Sequence, residues 1–308
     1  MQVHFWGTRG SLPAPLTHAE LRTKLRRVLQ AARGKDLATD REIARFLQTL
    51  PFSVRATYGG NTSCIEIRGG TEYVLCDAGT GIRDFSRYVL QTAASGRKPA
   101  GNVFHLFLSH PHWDHIQGFP FFTPAYFPGT RITIYGCHDR LRETFAGQQN
   151  APYFPVPLEA MQAQIQFVQL EPGQEYTVGG LNVRATGQCH PGGSYGYRFT
   201  RGGKTLVYAT DSEHKQNAVP LLEDVVKFFA GADVLIFDAQ YTHAEAIDVK
   251  ENWGHSSNLM AVELAVRAGV RRLCLFHHEH TYGDDMLEQF LKETRQYIKI
   301  YDQASSLR

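Results

Sequence analysis

The stretch of sequence that decides the fold is Ser109-His110-Pro111-His112-Trp113-Asp114-His115. It places three imidazoles and a carboxylate close together, directly after the apolar run 103–108. Four such groups cannot be buried in a core without partners, because burial strips them of water. Imidazole and carboxylate are the donors that zinc, iron and manganese accept in proteins. The HxHxDH spacing therefore predicts a metal site on a loop that follows a strand.

Further donors are expected where other apolar runs end. Zinc takes about four ligands, so the loop by itself cannot complete two sites. Strand ends along one sheet edge meet in space, which favours polar residues that directly follow strands. We expect one ion on His110, His112 and His190, a second on Asp114, His115 and His277, and Asp211 as a bridge between the two.

The rest of the chain alternates short apolar runs with glycines, and helical patterns are fewer. The predicted strands are 3–6, 62–67, 72–75, 103–108, 131–135, 165–170, 181–185, 194–199, 205–209, 234–237 and 272–276. Helices are predicted at 81–92, 219–230, 255–268 and 284–298. Many strands with intervening helices indicate an α/β or α+β layered sandwich, which we expect to form one domain over residues 1–308.

Residues 17–50 depart from this pattern and predict a helical hairpin inserted between the first two strands. Apolar residues recur at helical spacing in the arginine-rich stretch 17–34. The spacing repeats in 39–50, behind a Thr39-Asp40 cap. Two interpretations stay open: a solvated basic face on a packing helix, and a flap beside an anionic substrate.

Composition excludes several classes of protein. The chain has 308 residues, of which 43% are hydrophobic and 20% charged, as in ordinary globular proteins. A net charge of +2 argues against a protein held to nucleic acid mainly by backbone charge. No apolar run is long enough to cross a bilayer, so we expect no membrane partner. Five cysteines without a CxxC pair favour reduced thiols and a cytoplasmic location.

The ordered set of HxHxDH, a distant His, an Asp and a terminal His resembles the metallo-β-lactamase superfamily. The resemblance implies a four-layer αββα sandwich and covers nearly the whole chain outside 17–50. Tyr58-Gly59-Gly60-Asn61-Thr62-Ser63 and Asp77-Ala78-Gly79-Thr80-Gly81 are similar to its phosphodiesterase branch, which holds ribonuclease Z and cyclic-phosphate phosphodiesterases. The same resemblance implies that Asp77 orients a ligand histidine, and it favours His277 over His278 as the terminal ligand.

A proton donor is also implied by the resemblance. Gly254-His255-Ser256-Ser257 is similar to the Gly-His-Ser-Thr segment of ribonuclease Z, in which the histidine works with a preceding acidic residue. Here Asp238 occupies that upstream position, so His255 is expected to protonate the leaving group with Asp238 holding it. Asp114 is counted as a catalytic residue as well as a ligand. The alternative for His255 is a helix cap or loop anchor.

Other candidates have weaker support. The segment 153–157 is either an aromatic wall over the site or a rigid packed loop. Cys189 is expected to be a small core residue rather than a ligand. The remaining histidines without a spacing argument are expected to be surface or packing residues: His4, His18, His138, His214 and His243.

These residues predict a hydrolase with two divalent ions, zinc in the first instance and iron or manganese as alternatives. Its metal-bridging hydroxide would attack cyclic nucleotides or small nucleotide-derived phosphodiesters. Transfer RNA is disfavoured as a partner, because the chain lacks the long Gly/Pro-rich arm of the tRNA-processing members. One alternative is hydrolysis of a lactone, thioester or β-lactam on the same centre. Another is a non-catalytic metal-binding sensor or interaction protein, and a homodimer is left open.

Overall fold

Two six-stranded sheets form the centre of the molecule. The computed structural model describes residues 1–95, 101–214, 219–242, 245–246 and 252–305. The strands are β1 Gln2–Gly7, β2 Cys64–Arg68, β3 Tyr73–Cys76, β4 Val103–Phe107, β5 Arg131–Gly136, β6 Gln164–Gln169, β7 Glu175–Val178, β8 Leu181–Gln188, β9 Ser194–Arg201, β10 Lys204–Ala209, β11 Val234–Asp238 and β12 Leu273–Phe276. The first sheet has the order β1-β2-β3-β4-β5-β6, and the second has β12-β11-β10-β9-β8-β7.

Helices cover the outer faces of both sheets. Their bounds are α1 His18–Ala31, α2 Asp40–Thr49, α3 Phe52–Arg55, α4 Gly81–Ala94, α5 Trp113–Ile116, α6 Leu141–Gln148, α7 Val219–Phe229, α8 Asn258–Arg267 and α9 Asp284–Ser305. None of the helices in these described ranges combines the length and the hydropathy needed to cross a membrane.

The strands bury apolar side chains on both faces, which gives three core layers. In β3, Leu75 packs into the layer shared with α4, while its neighbour Val74 packs between the two sheets. In β10, Tyr208 lies between the sheets, while Val207 packs into the layer under α7 and α8. Alternating side chains of a strand point to opposite faces, so these runs are apolar without interruption. The result is the αββα sandwich that the sequence predicts, and that prediction is confirmed.

Parallel pairing brings the carboxyl ends of the central strands to one edge of the sandwich. β3 pairs with β4 and β10 with β11 in parallel, and β11 pairs with β12 in the same way. In the last pair Asp238 lies opposite Phe276, so the residue after Phe276 emerges beside Asp238. Polar residues that follow these strands therefore collect at a common edge, as the sequence indicates.

Helices α1 and α2 lie between β1 and β2, where the hairpin is predicted, and neither contains a buried residue. Each begins with a capping box, built by Thr17 with Glu20 and by Thr39 with Glu42. The hairpin is tied to α9 by Lys24, whose Nζ lies 2.6 Å from Asp284 Oδ2. That α1 and α2 are an insertion within a single domain remains a prediction.

Some elements differ from the sequence expectations. Strand β7 is absent from the sequence prediction, because its sequence Glu-Tyr-Thr-Val has only four residues, of which two are apolar. Helix α6 was also missed, and its weakly amphipathic sequence explains why. Helix α9 continues to Ser305, beyond the predicted end at residue 298. Helix α8 begins at Asn258 with Ser257 as its cap, whereas residue 255 was the predicted start.

Candidate metal centre

Sharp turns at the strand ends position the polar side chains of the candidate metal centre. Asp77 follows β3, Asp211 lies just beyond β10 and His277 follows β12. All three have positive φ angles, of 59°, 51° and 58° respectively. Few residues other than glycine adopt this left-handed region, and the strain it stores is concentrated at functional sites. The backbone is therefore bent to aim these side chains at one point.

His110, His112 and His190 form the first cluster, called here the three-histidine group. One ring nitrogen from each of them lies within 4.8 Å of the other two. His112 presents Nδ1, which lies 3.1 Å from His190 Nε2. His110 and His190 are buried and His112 is exposed, so the group opens to solvent on one side. His110 Nε2 is buried without a hydrogen-bond partner.

Asp114, His115, Asp211 and His277 form the second cluster, called the carboxylate group, and all four are buried. His277 Nε2 lies 2.9 Å from Asp114 Oδ2 and 3.3 Å from His115 Nε2. Asp211 lies at the border with the three-histidine group, because its Oδ2 is 3.5 Å from His110 Nε2 and 3.2 Å from His277 Nε2, while its Oδ1 is 3.3 Å from His115 Nε2. A carboxylate in this place is within reach of both groups, and its role as a bridge stays a prediction.

The far ring nitrogens of these histidines are held by fixed acceptors. His115 Nδ1 donates to Asp77 Oδ2 over 2.8 Å, and Tyr208 donates to the same oxygen over 2.6 Å. His110 Nδ1 lies 3.1 Å from Ser109 Oγ, which itself donates to Asp77. A proton held on Nδ1 leaves the Nε2 lone pair free, as metal binding requires. Asp77 thus makes the contact with His115 that an orienting role requires, and that role stays a prediction.

Burial and charge set the ionisation of both groups. Burial lowers the pKa of His110 well below its ordinary value, and His115 adds to the effect. Burial also lowers the pKa of His115, but Asp211 and Asp114 outweigh it and raise that pKa well above the ordinary value. Burial raises the pKa of Asp211, yet His115 and His277 outweigh it and hold the carboxyl pKa well below its usual range. The carboxylate group is therefore anionic at its acids and attracts protons or other cations.

Both groups fit divalent metal ions. His110 Nε2 is buried and has no hydrogen-bond partner among the described residues, which is rare unless a ligand completes it. In the carboxylate group, two imidazole Nε2 atoms face each other at 3.3 Å beside two carboxylates. A proton can satisfy only one such pair at a time, whereas a divalent cation accepts all of these donors at once. The donor set favours zinc, iron or manganese over calcium or magnesium.

His255 and Asp238 form a pair at the border of both groups. His255 Nδ1 lies 2.9 Å from Asp238 Oδ2 and 4.0 Å from Asp211 Oδ2. Its ring stacks on that of His277, with 4.9 Å between the centroids. Two further groupings of possible ligand atoms include His255, one with His190 and Asp211 and the other with Asp238 and His277. Its Nδ1 faces Asp238, as the Nδ1 of His115 faces Asp77, so this contact suits a ligand as well as a proton donor, and the donor role stays a prediction.

A family model described as "Beta-lactamase superfamily domain" matches residues 72–278 of the chain, which is well over half of its length. The chain belongs to the β-lactamase superfamily. The resemblance drawn from the HxHxDH sequence is thereby confirmed.

Curated relatives carry related names. The probable metallo-hydrolase YhfI of Bacillus subtilis (strain 168) is 28% identical over 204 residues, which cover 64% of this chain and 75% of the relative. Ribonuclease Z of Brevibacillus brevis (strain 47) is 31% identical over 109 residues, or 34% of this chain and 32% of the relative. The chain therefore spans about a third of the length of that ribonuclease Z. These names support the predicted class of metal-dependent hydrolase.

Solved structures share the fold along nearly the whole chain. The crystal structure of YhfI from Bacillus subtilis aligns with a TM-score of 0.61 and 21% identity, covering 95% of this chain and 91% of that one. Human tRNase Z, short form, gives 0.57 and 20%, covering 91% and 93%. A diphosphatase from the PhnP family gives 0.58 and 17%, covering 92% and 89%. At these identities the likeness concerns the fold alone.

Within this superfamily fold, the structure places each predicted ligand in one of the two groups and leaves His278 outside them. Burial and Arg9 lower the pKa of His278 to about 3, and its side chain takes no part in the carboxylate group. Cys189, expected in the core, is exposed, so that expectation is wrong. It precedes His190 in the turn after β8, where the strand has left the sheet.

Among the described residues, the other weaker candidates belong to neither of the two groups. Tyr153 is 84% exposed, and Phe154 packs edge-on against Phe121 with 5.6 Å between the ring centroids. The choice between an aromatic wall and a packed loop at 153–157 therefore stays a prediction. His214 is buried and stacks on Phe237, as a packing residue does. His243 lies outside the described residues.

Sequence reasoning missed several groups that touch the ligands. The Ser11 backbone N–H donates to Asp114 Oδ2 over 2.8 Å, and Gln240 Oε1 lies 3.3 Å from His277 Nδ1. The Gly254 carbonyl accepts from His190 Nδ1 over 2.8 Å. A side chain at Gly254 would place its Cβ 2.3 Å from that same nitrogen, so only glycine fits there. None of these contacts leaves a periodic signal in the sequence.

Proposed function

We propose that the chain is a two-metal phosphodiesterase that acts on cyclic nucleotides or small nucleotide-derived phosphodiesters. The observation that carries the proposal is the His255–Asp238 pair, with 2.9 Å between Nδ1 and Oδ2, beside the bridging position of Asp211. It supplies a proton donor next to a cluster of seven ligand candidates: His110, His112, Asp114, His115, His190, Asp211 and His277. Zinc is the proposed metal, with iron or manganese as alternatives.

Divalent ions held by these residues would lower the pKa of bound water to about 7 and stabilise charge on the phosphoryl oxygens. The chain's own residues supply what the ions do not. Asp114 and Asp211 hold negative charge in a buried site and so would offset half of the charge of two dications. Asp238 fixes His255 with Nδ1 toward itself, which leaves Nε2 as the atom that delivers a proton. A departing alkoxide needs that proton as its bond to phosphorus breaks.

The surroundings of the site support a nucleotide-derived substrate. Trp113 lies between His112 and Asp114 in the sequence, and its side chain is 78% exposed. An exposed indole at the border of a metal site offers a face on which a nucleobase stacks, worth about 1–3 kcal/mol per base. A small diester would then be held by stacking at one end and by the ions at its phosphate.

Transfer RNA stays disfavoured under this proposal, although relatives and fold neighbours are named ribonuclease Z and tRNase Z. The longest helical addition in the described chain before β2 is the α1–α2 hairpin, which is short for an arm that grips tRNA. A cytoplasmic location is proposed because all five cysteines are unpaired. The exposed face of the hairpin leaves a homodimer as an open prediction.

The experiment begins with metal analysis of the purified protein by mass spectrometry. The metal-loaded protein is then incubated with bis(p-nitrophenyl) phosphate, a lactone and nitrocefin, and with a panel of cyclic and linear nucleotide diesters. Release of nucleoside monophosphates, with slower turnover of the lactone and nitrocefin, would support the proposal. Preferred turnover of the lactone or nitrocefin would replace it with a carboxyl-derivative hydrolase. Bound metal without any turnover would favour a sensor or interaction protein.

A further inference from the structure

A buried network of hydrogen bonds begins at His277 Nδ1, on the side of the ring away from the carboxylate group. The proposed reaction does not use this network. His277 Nδ1 lies 3.3 Å from Gln240 Oε1, and Gln240 Nε2 donates to Glu279 Oε2 over 3.1 Å. All three residues are buried, with exposed fractions of 1%, 1% and 5%. The amide of Gln240 therefore depends on these neighbours for its hydrogen bonds, because water does not replace them, while Glu279 Oε1 also accepts from Thr281 Oγ1 over 3.3 Å.

The amide of Gln240 can take only one orientation in this arrangement. Its NH₂ faces the Glu279 carboxylate and the Ser11 hydroxyl, both of which accept hydrogen bonds. Its carbonyl oxygen must then face His277, where it accepts a hydrogen bond from the Nδ1–H group. With the proton fixed on Nδ1, the Nε2 lone pair of His277 points into the carboxylate group.

The same network holds a second member of the carboxylate group. Arg9 anchors the segment that carries Glu279 by donating from Nη1 to the Glu279 carbonyl over 3.2 Å and to the Tyr282 carbonyl over 2.7 Å. Two residues after Arg9, the Ser11 backbone N–H donates to Asp114. Gly10, between them, lies so close that a Cβ there would be 2.3 Å from His277 Nδ1. The loop and the network are thus fitted to the ring of His277.

We propose that Gln240 and Glu279 are positioning residues, which select the Nδ1-protonated form of His277 and so prepare the carboxylate group, but not the three-histidine group, for its metal ion. The inference rests on the proposed metal centre and adds the device that sets the affinity of one of its two sites. The other histidines use different partners for this purpose: Asp77 for His115, Ser109 for His110 and the Gly254 carbonyl for His190. Loss of Gln240 should therefore affect one ion.

Zinc binding to the metal-free chain provides the test, with affinities measured for each of two ions by competition with a chromophoric chelator. In Gln240→Met the side chain keeps its length but offers no acceptor to His277. We expect the ion of the carboxylate group to bind about 10- to 100-fold more weakly, as is typical when an outer partner of a metal ligand is lost. The ion of the three-histidine group should keep its affinity. Gln149→Met, at another buried glutamine, is the matched control and should bind both ions normally.

A second measurement follows the proton itself. In ¹⁵N-histidine-labelled zinc-loaded protein, His277 should show an Nδ1–H signal that exchanges slowly with water, and Gln240→Met should lose that protection. If Gln240→Met does not fold, Glu279→Gln carries the test, because an amide at 279 no longer fixes the orientation of Gln240. Glu279→Gln should weaken zinc binding in the carboxylate group and leave zinc binding in the three-histidine group unchanged. Unaltered affinity for both ions in a folded variant would overturn the inference. Because the experiment measures metal binding and no turnover, failure of the phosphodiesterase proposal would not overturn it.

Discussion

The three-histidine group and the carboxylate group lie side by side but differ in charge and in burial. The first has only imidazole donors, and His112 opens it to solvent. The second has two carboxylates among four buried residues and is closed by the loop at Ser11. Asp211 contacts both groups, since its Oδ2 lies near His110 and His277 and its Oδ1 lies near His115. The difference teaches that one site can be filled from solvent directly, whereas the other must be assembled by several segments of the chain.

The hydrogen-bond partners that hold the histidines also differ in charge between the two groups. In the carboxylate group, a charged residue holds His115 and a buried amide holds His277. In the three-histidine group, a hydroxyl and a main-chain carbonyl hold His110 and His190. Charged partners strengthen a hydrogen bond and raise the basicity of the imidazole. We therefore expect changes in the carboxylate group to cost more metal affinity than equivalent changes in the other.

The largest effect is expected for Asp211→Ala, which removes a donor from both groups at once. Turnover should fall by at least about 10³-fold, because bound ions lower such barriers by several kcal/mol. Metal content, measured by mass spectrometry under metal-replete conditions, should fall below two ions per chain. Asp139→Ala, at an exposed aspartate that pairs with Gln169, is the control and should change neither quantity. One ion per chain in the unchanged protein, with near-normal turnover in Asp211→Ala, would refute the bridging assignment.

His255→Ala tests whether His255 belongs to neither group. If His255 is the proton donor, the variant should lose about 10²-fold on a diester with an alkoxide leaving group, and far less on p-nitrophenolate, which needs little protonation. Both metal ions should remain bound. Equal losses on the two substrates would indicate a structural role, and loss of an ion would make His255 a ligand and so redraw the boundary between the groups.

Asp77→Asn sharpens the contrast between the groups, because Asp77 holds His115 through a charged hydrogen bond. The ion of the carboxylate group should bind about 10- to 100-fold more weakly, with a smaller change at the three-histidine group, which Asp77 reaches only through Ser109. Zinc titration of the metal-free protein measures both. Tyr208→Phe, which removes one other donor to Asp77, should have a lesser effect. An equal loss of zinc affinity at both groups would contradict the view that each group is held by its own hydrogen-bond partners.

The smallest effect on the metal centre is expected when residues 17–50 are replaced by a short loop. Both ions should stay bound, because the hairpin contributes no residue to either group. The change leaves the buried Asp284 without its half-buried partner Lys24, so the free energy of unfolding should fall. Lys24→Met should reproduce that loss in thermal unfolding while leaving the hairpin in place.

Kinetics of the same deletion decide between the two interpretations of the hairpin. A flap beside the substrate predicts a rise in KM for anionic diesters that exceeds any fall in kcat on a small neutral ester. A solvated packing face predicts no such difference. An insoluble product would show instead that the apolar stripe of the hairpin completes the core or an interface between copies.

Much of the fold was predictable because the strands of a two-sided sandwich are continuous apolar runs ended by glycines and polar turns. Strand β7 was not, since its polar edge sequence has no such signal. Local spacing within HxHxDH predicted that His110 and His112 belong to one cluster and that Asp114 and His115 belong to another, which is how the structure groups them. The distant ligands followed from a simple rule that polar residues at strand ends share an edge.

The sequence by itself determined which residue types meet, because apolar periodicity and strand ends fix where the chain turns. Only the tertiary structure decided which ring nitrogen of each histidine is free, and that His277 rather than His278 faces the carboxylates. It also revealed Ser11, Gln240 and Glu279 as neighbours of the ligands. Such contacts join residues far apart in the chain and depend on side-chain direction, a property for which no spacing pattern exists.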